Sequence, residues 1–347
     1  MTAPPGDDTA PNAGEALAAQ SGGEPRVAPA SEPGERAASQ RRAESKSRAR
    51  VWTVLDLLRW TTDHLHSRGI ETARLDTECL LAFALGVDRL RLYVDFDKPV
   101  EAGERAAFRE LVRRRGDERV PVAQLVGRKE FWSLSLAVTG DVLAPRPETE
   151  TLVAAALDLL PQEDGEARVL DLGTGSAAVA LAIAQERPRA QITATDLSPP
   201  ALEVARANAQ ELGMADRIRF LQGSCFEPVA GERFDLVVSN PPYLAEAGRG
   251  GLAPELAHEP PGALFAGPDG LAVLRVLVAE VGGALVPGGG AAFELSPEQS
   301  TRVEDWCRAA GLVGVTLYRD LGHRPRVVAA RSAGVAVARE GPSGTAE

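Results

Sequence analysis

The sequence contains few cysteines and few histidines. Its 347 residues include only 3 cysteines, Cys79, Cys225 and Cys307, and only 4 histidines. The cysteines are far apart, odd in number and form no Cys-x-x-Cys pair, which argues against a disulfide framework and a cysteine-rich zinc site. The histidines are too scattered to indicate a metal centre. We therefore predict a protein that has no metal site and works in the reducing cytoplasm.

Long apolar runs and an excess of positive charge are also missing. No stretch approaches the ~18 consecutive apolar residues that cross a bilayer, so we expect no membrane partner. The 38 lysines and arginines are outnumbered by 49 acidic residues, which gives a net charge of -11. Broad binding to duplex nucleic acid depends on many Lys and Arg contacts to phosphate. We therefore expect no stable binding to nucleic acid.

Composition and hydrophobic pattern divide the chain into five segments. Residues 1–50 are rich in Ala, Pro, Gly, Ser and Glu, which predicts a disordered tail. The basic cluster at 41–50 indicates a solvated charge run, with weak attraction to RNA as the alternative. Residues 51–120 predict a small helical domain, residues 121–145 a hairpin connector, and residues 332–347 a loose tail.

The helical domain contains apolar residues at the spacing of a helix face. We predict that two rows face its core: Val51, Leu55, Leu58, Thr62 and Leu65, followed by Leu75, Cys79, Leu80, Phe83 and Ala84. A third helix is predicted over Glu104–Arg115. Its last three residues are arginines, which suit the negative end of a helix dipole.

The remaining segment, residues 146–331, alternates between predicted strands and predicted helices. This order is typical of an α/β fold, in which a parallel sheet with right-handed crossovers is covered by helices on both faces. The predicted strands are Arg168–Leu172, Gln191–Thr195, Ile218–Gln222, Phe234–Ser239, Ala291–Leu295, Val313–Tyr318 and Arg326–Ala330.

A glycine-rich turn follows the first of these strands, in the run Val169–Ser176. Glycines at the carboxyl end of a parallel strand let a ligand approach the backbone closely. Asp196 ends the next strand, where its carboxylate can accept hydrogen bonds from both hydroxyls of a ribose. The Asp-x-Gly-x-Gly spacing lacks the third glycine of a dinucleotide site, which disfavours a dehydrogenase and favours a cofactor without phosphates, such as S-adenosylmethionine. The alternative is a tight turn in a fold that binds nothing.

A second candidate site is the run Asn240-Pro-Pro-Tyr243, directly after the predicted strand Phe234–Ser239. The prolines stiffen the loop and lack N–H donors, so backbone carbonyls remain available as acceptors. Asn240 Oδ1 and the Pro241 carbonyl can together accept both hydrogens of an –NH2 group, and Tyr243 offers a flat face for a planar substrate. The alternative is a simple loop breaker after a strand.

Three motifs together resemble the peptide chain release factor glutamine methyltransferases: Asp171-Leu-Gly-Thr-Gly175, Asn240-Pro-Pro-Tyr243, and Leu143-Ala-Pro-Arg-Pro-Glu-Thr-Glu150. The resemblance covers about residues 51–331. It implies a seven-stranded Rossmann-like class I methyltransferase sheet with an antiparallel last strand and a small N-terminal helical domain. It also implies methyl transfer from S-adenosyl-L-methionine to the side-chain amide of the glutamine in the Gly-Gly-Gln motif of class I release factors. Amino-group methyltransferases of DNA and RNA bases share Asn-Pro-Pro-Tyr, so a nucleic acid base or another protein glutamine is the alternative substrate.

The resemblance also implies roles for individual residues. The predicted cofactor-binding residues are Asp171, Gly173, Thr174, Gly175, Ser176, Ala177, Asp196, Ser224, Cys225 and Asn240. The predicted substrate-binding residues are Asn240, Pro241, Pro242 and Tyr243, of which Asn240, Pro241 and Tyr243 are the predicted catalytic residues. We expect the helical domain to recognise the release factor, and we expect the chain to be a monomer.

The sequence departs from the family pattern at two places. The family often has glycine at position 177, and alanine there fits if its φ is negative. It also often has Asp-Trp where Ser224-Cys225 stands, which removes an acidic contact to adenine. Glu148, Glu150 and Glu294 remain open between a structural role and a role in the site.

Overall fold

The computed structural model describes residues 51–160 and 165–334. The predicted tail at 1–50 and most of the predicted tail at 332–347 therefore lie outside the described residues. Within the described ranges, no helix combines the length and the apolar character needed to cross a membrane.

The N-terminal region of the described chain is helical. Its helices are α1 (Val54–Ser67), α2 (Ala73–Leu85), α3 (Arg89–Val94), α4 (Ala102–Gly116) and α5 (Val122–Val126). Helix α1 begins with a capping box, in which the Thr53 hydroxyl accepts from the Asp56 N–H and the Asp56 carboxylate accepts from the Thr53 N–H. Helix α2 ends at Gly86, whose φ of 62° is the left-handed conformation that glycine adopts without strain.

The apolar rows of this region match the prediction only in part, since Leu58, Leu65 and Leu80 are buried as predicted. In α1 the buried residues include Leu57 and Thr61, whereas Leu55 and Thr62 are only partly buried. In α2 the side chains of Leu75 and Phe83 are 45% and 52% exposed. The α2 face that points inward carries Ala73, Asp76, Thr77, Leu80 and Leu81. Because this face also contains polar residues, apolar spacing alone identifies only part of it.

Arg115 of α4 explains how α2 can bury an aspartate. Its Nε donates to Asp76 Oδ2 at 2.7 Å, and its Nη1 donates to Glu255 Oε1 at 2.8 Å. Less than a tenth of either the Arg115 or the Asp76 side chain is exposed. Glu255 lies in the segment that follows a strand of the large sheet, so this buried cluster joins the helical region to the sheet region.

The predicted seven-stranded α/β sheet is confirmed. A separate hairpin, β1 (Arg128–Phe131) and β2 (Leu134–Ala137), precedes it and is antiparallel. The strands of the large sheet are β3 (Arg168–Leu172), β4 (Gln191–Asp196), β5 (Ile218–Gln222), β6 (Phe234–Ser239), β7 (Leu285–Glu294), β8 (Val313–Arg319) and β9 (Pro325–Arg331). Their order across the sheet is β5-β4-β3-β6-β7-β9-β8. Only β9 runs antiparallel to its neighbours β7 and β8.

Helices cover the large sheet because its strands alternate apolar side chains to both faces. Val169 and Ile192 belong to one buried cluster, whereas Leu170 and Val237 belong to the other. The helices of this region are α6 (Glu150–Leu159), α7 (Ala178–Glu186), α8 (Pro199–Glu211), α9 (Pro261–Leu264), α10 (Ala272–Ala284) and α11 (Ser300–Ala309). Short 3-10 helices occur at Pro147–Thr149, Ala215–Arg217, Glu227–Val229, Glu246–Gly251, Pro254–His258 and Pro297–Gln299.

The parallel strands β3, β4, β6 and β7 place their carboxyl ends at one edge of the sheet. The register sets Leu172 beside Ser239, and Ser239 beside Phe293. The Ser239 hydroxyl donates to the Leu172 carbonyl at 2.7 Å, which fixes the ends of β3 and β6 against each other. The loops that follow these strands must therefore share this edge.

Breaking the buried Arg115 cluster should destabilise the protein. We expect Asp76→Ala to lower the free energy of unfolding by about 3 kcal/mol, because a buried guanidinium loses one of its partners. Chemical denaturation followed by circular dichroism measures this loss. Asp305→Ala is the matched control, since it removes an exposed partner of Arg308 and should change stability by less than about 0.5 kcal/mol. If both variants lost the same free energy of unfolding, burial would not be what makes the Arg115 cluster stabilising.

Candidate active site

The glycine-rich turn lies between β3 and α7. Gly173 and Gly175 have φ angles of 71° and 55°, a region that glycine occupies without strain. The N–H groups of Gly173 and Thr174 both donate to the Thr195 carbonyl at 2.9 Å, which holds the turn against β4. A Cβ added to either glycine would meet no atom within 4 Å. The missing side chains therefore leave free space beside the backbone.

Asp171 and Asp196 brace this turn from two strands. Asp171 is buried and accepts from the Thr174 hydroxyl at 2.6 Å. Burial raises the pKa of Asp171 to about 6, although the Thr174 hydrogen bond opposes the shift. Asp196 accepts from the Gly175 N–H and from the Ser198 N–H, both at 2.9 Å. A carboxylate has about four acceptor positions, so Asp196 keeps capacity for two further donors.

A cavity of about 480 Å³ opens beside the turn. Most of the predicted cofactor-binding residues line it, and so do both predicted substrate-binding prolines. These lining residues are Asp171, Gly173, Thr174, Gly175, Ser176, Asp196, Ser224, Cys225, Asn240, Pro241 and Pro242. A cavity of this size with a mixed polar and apolar lining is typical of a small-molecule site.

Ala177 does not line the cavity. It is fully buried in the core, at the N-cap of α7, and its N–H donates to the Thr174 carbonyl at 2.8 Å. Its φ is 65°, not negative as expected for an alanine at this position. The left-handed conformation turns the chain from the loop into the helix, at a cost of about 1–2 kcal/mol for an alanine.

Several residues of the cavity wall were not predicted as site residues, although two of them, Leu143 and Thr149, belong to the Leu143–Glu150 motif. Thr149 comes from the 3-10 turn before α6, and Leu143 comes from the stretch after the hairpin. Val273 and Leu277 lie four residues apart on α10 and add an apolar side to the wall. That spacing occurs in any amphipathic helix, so the sequence alone does not single it out.

Asn240 lies where this cavity meets the end of β6. Its Nδ2 donates to the Thr149 hydroxyl at 3.2 Å. Its Oδ1 is buried and has no hydrogen-bond partner among the described residues. A buried acceptor without a donor costs about 1–3 kcal/mol, so this oxygen is an unusual feature at the edge of a cavity.

The rest of the Asn-Pro-Pro-Tyr loop is held by its backbone. Gln299 donates from Nε2 to the carbonyls of Tyr243 and Gly270, at 3.0 and 3.1 Å. The Cβ of any residue other than glycine at position 270 would collide with the Tyr243 carbonyl. These contacts fix the loop without engaging the side chain of Asn240.

The side chain of Tyr243 faces a different cavity from the one beside the glycine turn. This second cavity, of about 630 Å³, is charged and lies between the helical region and the carboxyl edge of the sheet. Its charged lining residues are Glu71, Arg115, Arg119, Arg146, Glu148, Glu255, Glu294 and Arg326. Burial raises the pKa of Tyr243 to about 12, so its hydroxyl stays protonated at neutral pH. Among the described residues, no group of three or more His, Cys, Asp or Glu side chains is arranged to hold a metal ion.

The three glutamates left open by the sequence take different positions. Glu150 accepts from the Trp132 N–H at 3.1 Å and therefore holds the β1–β2 turn to α6. Glu148 lies at the rim of the second cavity, 3.7 Å from Arg324. Glu294 ends β7 and is completely buried, and neither of its carboxylate oxygens has a hydrogen-bond partner among the described residues. Burial raises the pKa of Glu294 to about 7.

Glu294→Gln should stabilise the protein at alkaline pH. The unfolded chain ionises this carboxyl near its ordinary pKa of 4.5 and the folded protein near 7, so raising the pH between these values favours unfolding. Glutamine removes this penalty, which amounts to up to roughly 3 kcal/mol. Melting temperatures at pH 5 and pH 8 should show a gain for the variant that grows with pH. Glu203→Gln, on the exposed face of α8, is the control, and a variant that melts lower than wild type at pH 8 would contradict the argument.

Two family models match the chain. "PrmC N-terminal domain" matches residues 56–127, and "Methyltransferase small domain" matches residues 151–269. The first covers most of the helical region, and the second covers the glycine turn and the Asn-Pro-Pro-Tyr loop.

Curated proteins match over a greater length. The release factor glutamine methyltransferase of Rhodopirellula baltica is 43% identical over 291 residues, which span 81% of this chain and 97% of that protein. Its counterpart in Geobacter sulfurreducens is 42% identical over 81% of this chain and 97% of its own length. That of Xylella fastidiosa is 45% identical over 75% of this chain and 94% of its own length. Relatives this similar, matched almost end to end, show that the chain belongs to the release factor glutamine methyltransferase family.

Proposed function

We propose that this protein transfers a methyl group from S-adenosyl-L-methionine to the side-chain amide nitrogen of the glutamine in the Gly-Gly-Gln motif of class I peptide chain release factors. The observation that carries the proposal is Asn240 Oδ1, a buried acceptor with no donor, at the wall of a glycine-lined cavity. A primary amide brings the N–H group that this oxygen lacks. The names of the relatives support glutamine in a release factor as the source of that amide.

The residues of the first cavity fit S-adenosyl-L-methionine. Gly173 and Gly175 leave room beside the backbone for its methionine part, and Asp196 keeps acceptor capacity for its ribose hydroxyls. Ser224 and Cys225 form the part of the wall assigned to adenine, without an acidic side chain of their own. When bound, this cofactor supplies an electrophilic methyl group on a sulfonium.

The side chains of the site then have to orient a weak nucleophile. An amide nitrogen reacts poorly because its lone pair is delocalised into the carbonyl group. Asn240 and the Pro241 carbonyl accept its hydrogens, direct it at the methyl group and stabilise the positive charge that grows on nitrogen. Alignment of this kind contributes up to about 7–11 kcal/mol. No strong base is required before attack, because the proton becomes acidic only as the new bond forms.

Removing the acceptor tests this role directly. Asn240→Ala should slow methyl transfer roughly 100-fold or more, because a preorganised partner of the transition state is lost, while affinity for the cofactor changes little apart from any contact that Asn240 makes with its methionine part. Asn240→Asp keeps the shape and an acceptor oxygen, so it should retain more activity than the alanine variant. Gln210→Ala removes an amide from the exposed face of α8 and should react at the wild-type rate. A full-rate Asn240→Ala enzyme would refute the site.

The experiment uses the full chain, purified class I release factor and S-adenosyl-L-methionine carrying a labelled methyl group. Transfer rates are measured for each variant, and mass mapping of the Gly-Gly-Gln peptide locates the added methyl group. If the label appeared in DNA or RNA while the release factor stayed unmodified, the result would instead support an enzyme that methylates nucleic acid bases.

The helical region offers a surface for the protein substrate. Leu75, Cys79 and Phe83 lie on one face of α2 and form what we call the outer row; the side chains of Leu75 and Phe83 are about half exposed. Leu90 of α3 is 80% exposed. Apolar residues that do not serve the core are available for an intermolecular contact. We infer that the outer row and Leu90 contact the release factor, while the sheet edge handles the glutamine.

Polar substitutions on this surface should weaken binding of the intact substrate. Phe83→Ser combined with Leu90→Ser should raise KM for the release factor about tenfold or more and leave kcat unchanged, because the lost apolar contact is the same in ground and transition states. Cofactor affinity should stay at the wild-type value. Val313→Ser, which alters an exposed residue at the far end of β8, is the control. An unchanged KM in the double variant would place the release factor on another surface.

A further inference from the structure

A third cavity lies within the helical region, where side chains of α1 and α4 line it. Its volume is about 460 Å³, which falls in the range of about 300–1,000 Å³ that is typical of small-molecule sites. Its apolar floor consists of Leu57 on α1 and of Phe108 and Val112 on α4, all of which are buried. None of the residues that line this cavity also lines the first or the second cavity. The third cavity is therefore separate from the site that handles the glutamine.

Four arginines line the third cavity, and acidic residues balance their charge only in part. Arg68 pairs with Asp117 at 3.0 Å, and Arg113 pairs with Glu110 at 2.7 Å. Asp117 is the single acidic residue among those that line the cavity. The chain as a whole carries a net charge of -11, so a local excess of arginine is not a consequence of its composition.

The two arginines that remain are Arg105 and Arg109, four residues apart on α4. Neither guanidinium forms an ion pair with any residue that the structure describes. Like charges at this spacing repel each other and destabilise a helix. An anion between the two side chains would accept from both guanidiniums and remove the repulsion. The pair therefore indicates a negatively charged ligand.

Trp60 adds a flat ring to the same cavity. Its side chain is 52% exposed and is not part of the buried cluster of the helical region, against which Trp52 does pack. His64 stacks on the Trp60 ring at 4.7 Å, and Trp52 meets it at 84°. These two contacts hold the indole in place while half of its surface stays open. A held and open indole is a surface on which a planar group can pack.

Thr61 contributes a hydroxyl that serves no internal bond. It lines the cavity and is 0% exposed, and its Oγ1 has no hydrogen-bond partner among the described residues. A helical threonine can donate to the carbonyl four residues earlier, as Thr62 and Thr77 do at 2.7 Å. A buried hydroxyl without a partner is destabilising, so Thr61 departs from its neighbours at a cost. A polar atom of a ligand would supply the missing partner.

We propose that the third cavity binds a nucleoside phosphate, with the phosphate on Arg105 and Arg109, the base against Trp60, and a polar atom of the ligand near Thr61. A carboxylate would balance one of the two arginines, whereas a phosphate monoester carries about two negative charges at neutral pH. The planar fork of a guanidinium also suits phosphate oxygens. The arginines surround one cavity and do not follow a groove, which fits a single nucleotide and not a strand. This inference does not depend on the proposed function.

The first experiment measures binding of guanosine monophosphate to the full chain by calorimetry. Saturating S-adenosyl-L-methionine is present, and the probe contains no adenine, so that the first cavity does not compete for it. We expect one molecule of the probe to bind. Guanosine lacks the phosphate and inorganic phosphate lacks the ring, so each should bind at least about tenfold more weakly.

The second experiment removes the unbalanced charge. Arg105→Gln combined with Arg109→Gln should weaken binding of guanosine monophosphate about tenfold or more, since two charge-assisted contacts are lost. Arg59→Gln is the matched control, because it removes an exposed arginine of α1 that forms no ion pair with a described residue and does not line the cavity. It should bind the probe as the wild type does. Asp196→Ala should also leave this affinity unchanged, because Asp196 lies in the first cavity.

The third experiment compares stability with affinity at Thr61. Thr61→Val keeps the shape but deletes the unpaired hydroxyl, so the melting temperature of the free protein should rise while affinity for guanosine monophosphate falls about threefold or more. Thr61→Ser should restore the wild-type affinity. Thr77→Val deletes a buried hydroxyl that already donates within α2, so it should change neither the affinity nor raise the melting temperature. A hydroxyl kept only for structure would give the opposite result, a lower melting temperature in Thr61→Val.

Several outcomes would overturn the proposal. These are no binding of guanosine monophosphate, equal binding of guanosine, full affinity in the double arginine variant, and a loss of affinity in Asp196→Ala, which would place the nucleotide in the first cavity. Binding of a Glu-Trp-Glu peptide in preference to the nucleotide would also overturn it, because the cavity would then receive a protein segment. Weakened binding in the arginine and Thr61→Val variants, with wild-type affinity in Arg59→Gln, supports it.

Discussion

Parallel strands that are buried on both faces can present polar groups only where they end, and this constraint organises the whole sheet region. Leu170 in β3 and Val237 in β6 are fully buried, whereas Asp171 and Ser239 lie at or next to the strand ends. The crossover helices fix which ends are neighbours, and the register then sets Asn240 beside Glu294. The chemistry of the site is therefore a consequence of strand order, since each strand contributes only the first residues of one loop.

The same constraint explains which elements could be predicted from the sequence. A strand buried on both faces is a continuous apolar run, and the predicted bounds Arg168–Leu172 and Phe234–Ser239 are those observed. Strand β7 begins at Leu285, six residues before its predicted start. Pro287 and the glycines that follow are typical of a turn, yet Leu285 and Gly290 on either side of a register shift both pair with β6. The inward face of α2 could be found only in part by apolar spacing, since Leu80 is buried as predicted but Asp76 is buried only through a partner 39 residues away.

In the site, too, some features depend on neighbouring residues in the sequence and others depend on distant ones. The glycine turn is recognisable because its backbone conformation requires particular residue types at neighbouring positions. The contact between Asn240 and Thr149 joins residues 91 apart and leaves no local trace in the sequence. The φ of Ala177 is also set by its surroundings, because the buried helix start imposes a conformation that alanine does not prefer. Sequence therefore indicates where a ligand approaches the backbone, but not which side chains orient the reacting group.

The free-energy cost of burying Asn240 Oδ1 without a donor also affects which substrate the site favours. A buried Asn240 Oδ1 without a donor destabilises the protein, and that cost is recovered only when a ligand brings an N–H. In the proposed function, glutamine brings two such hydrogens to this oxygen and the Pro241 carbonyl, whereas a glutamate side chain would place its own oxygens against these acceptors. Sites built on unmatched buried acceptors reject ligands without the matching donor far more strongly than apolar pockets reject a missing methylene. The unpaired oxygen therefore favours an amide, because its burial disfavours ligands that bring no donor.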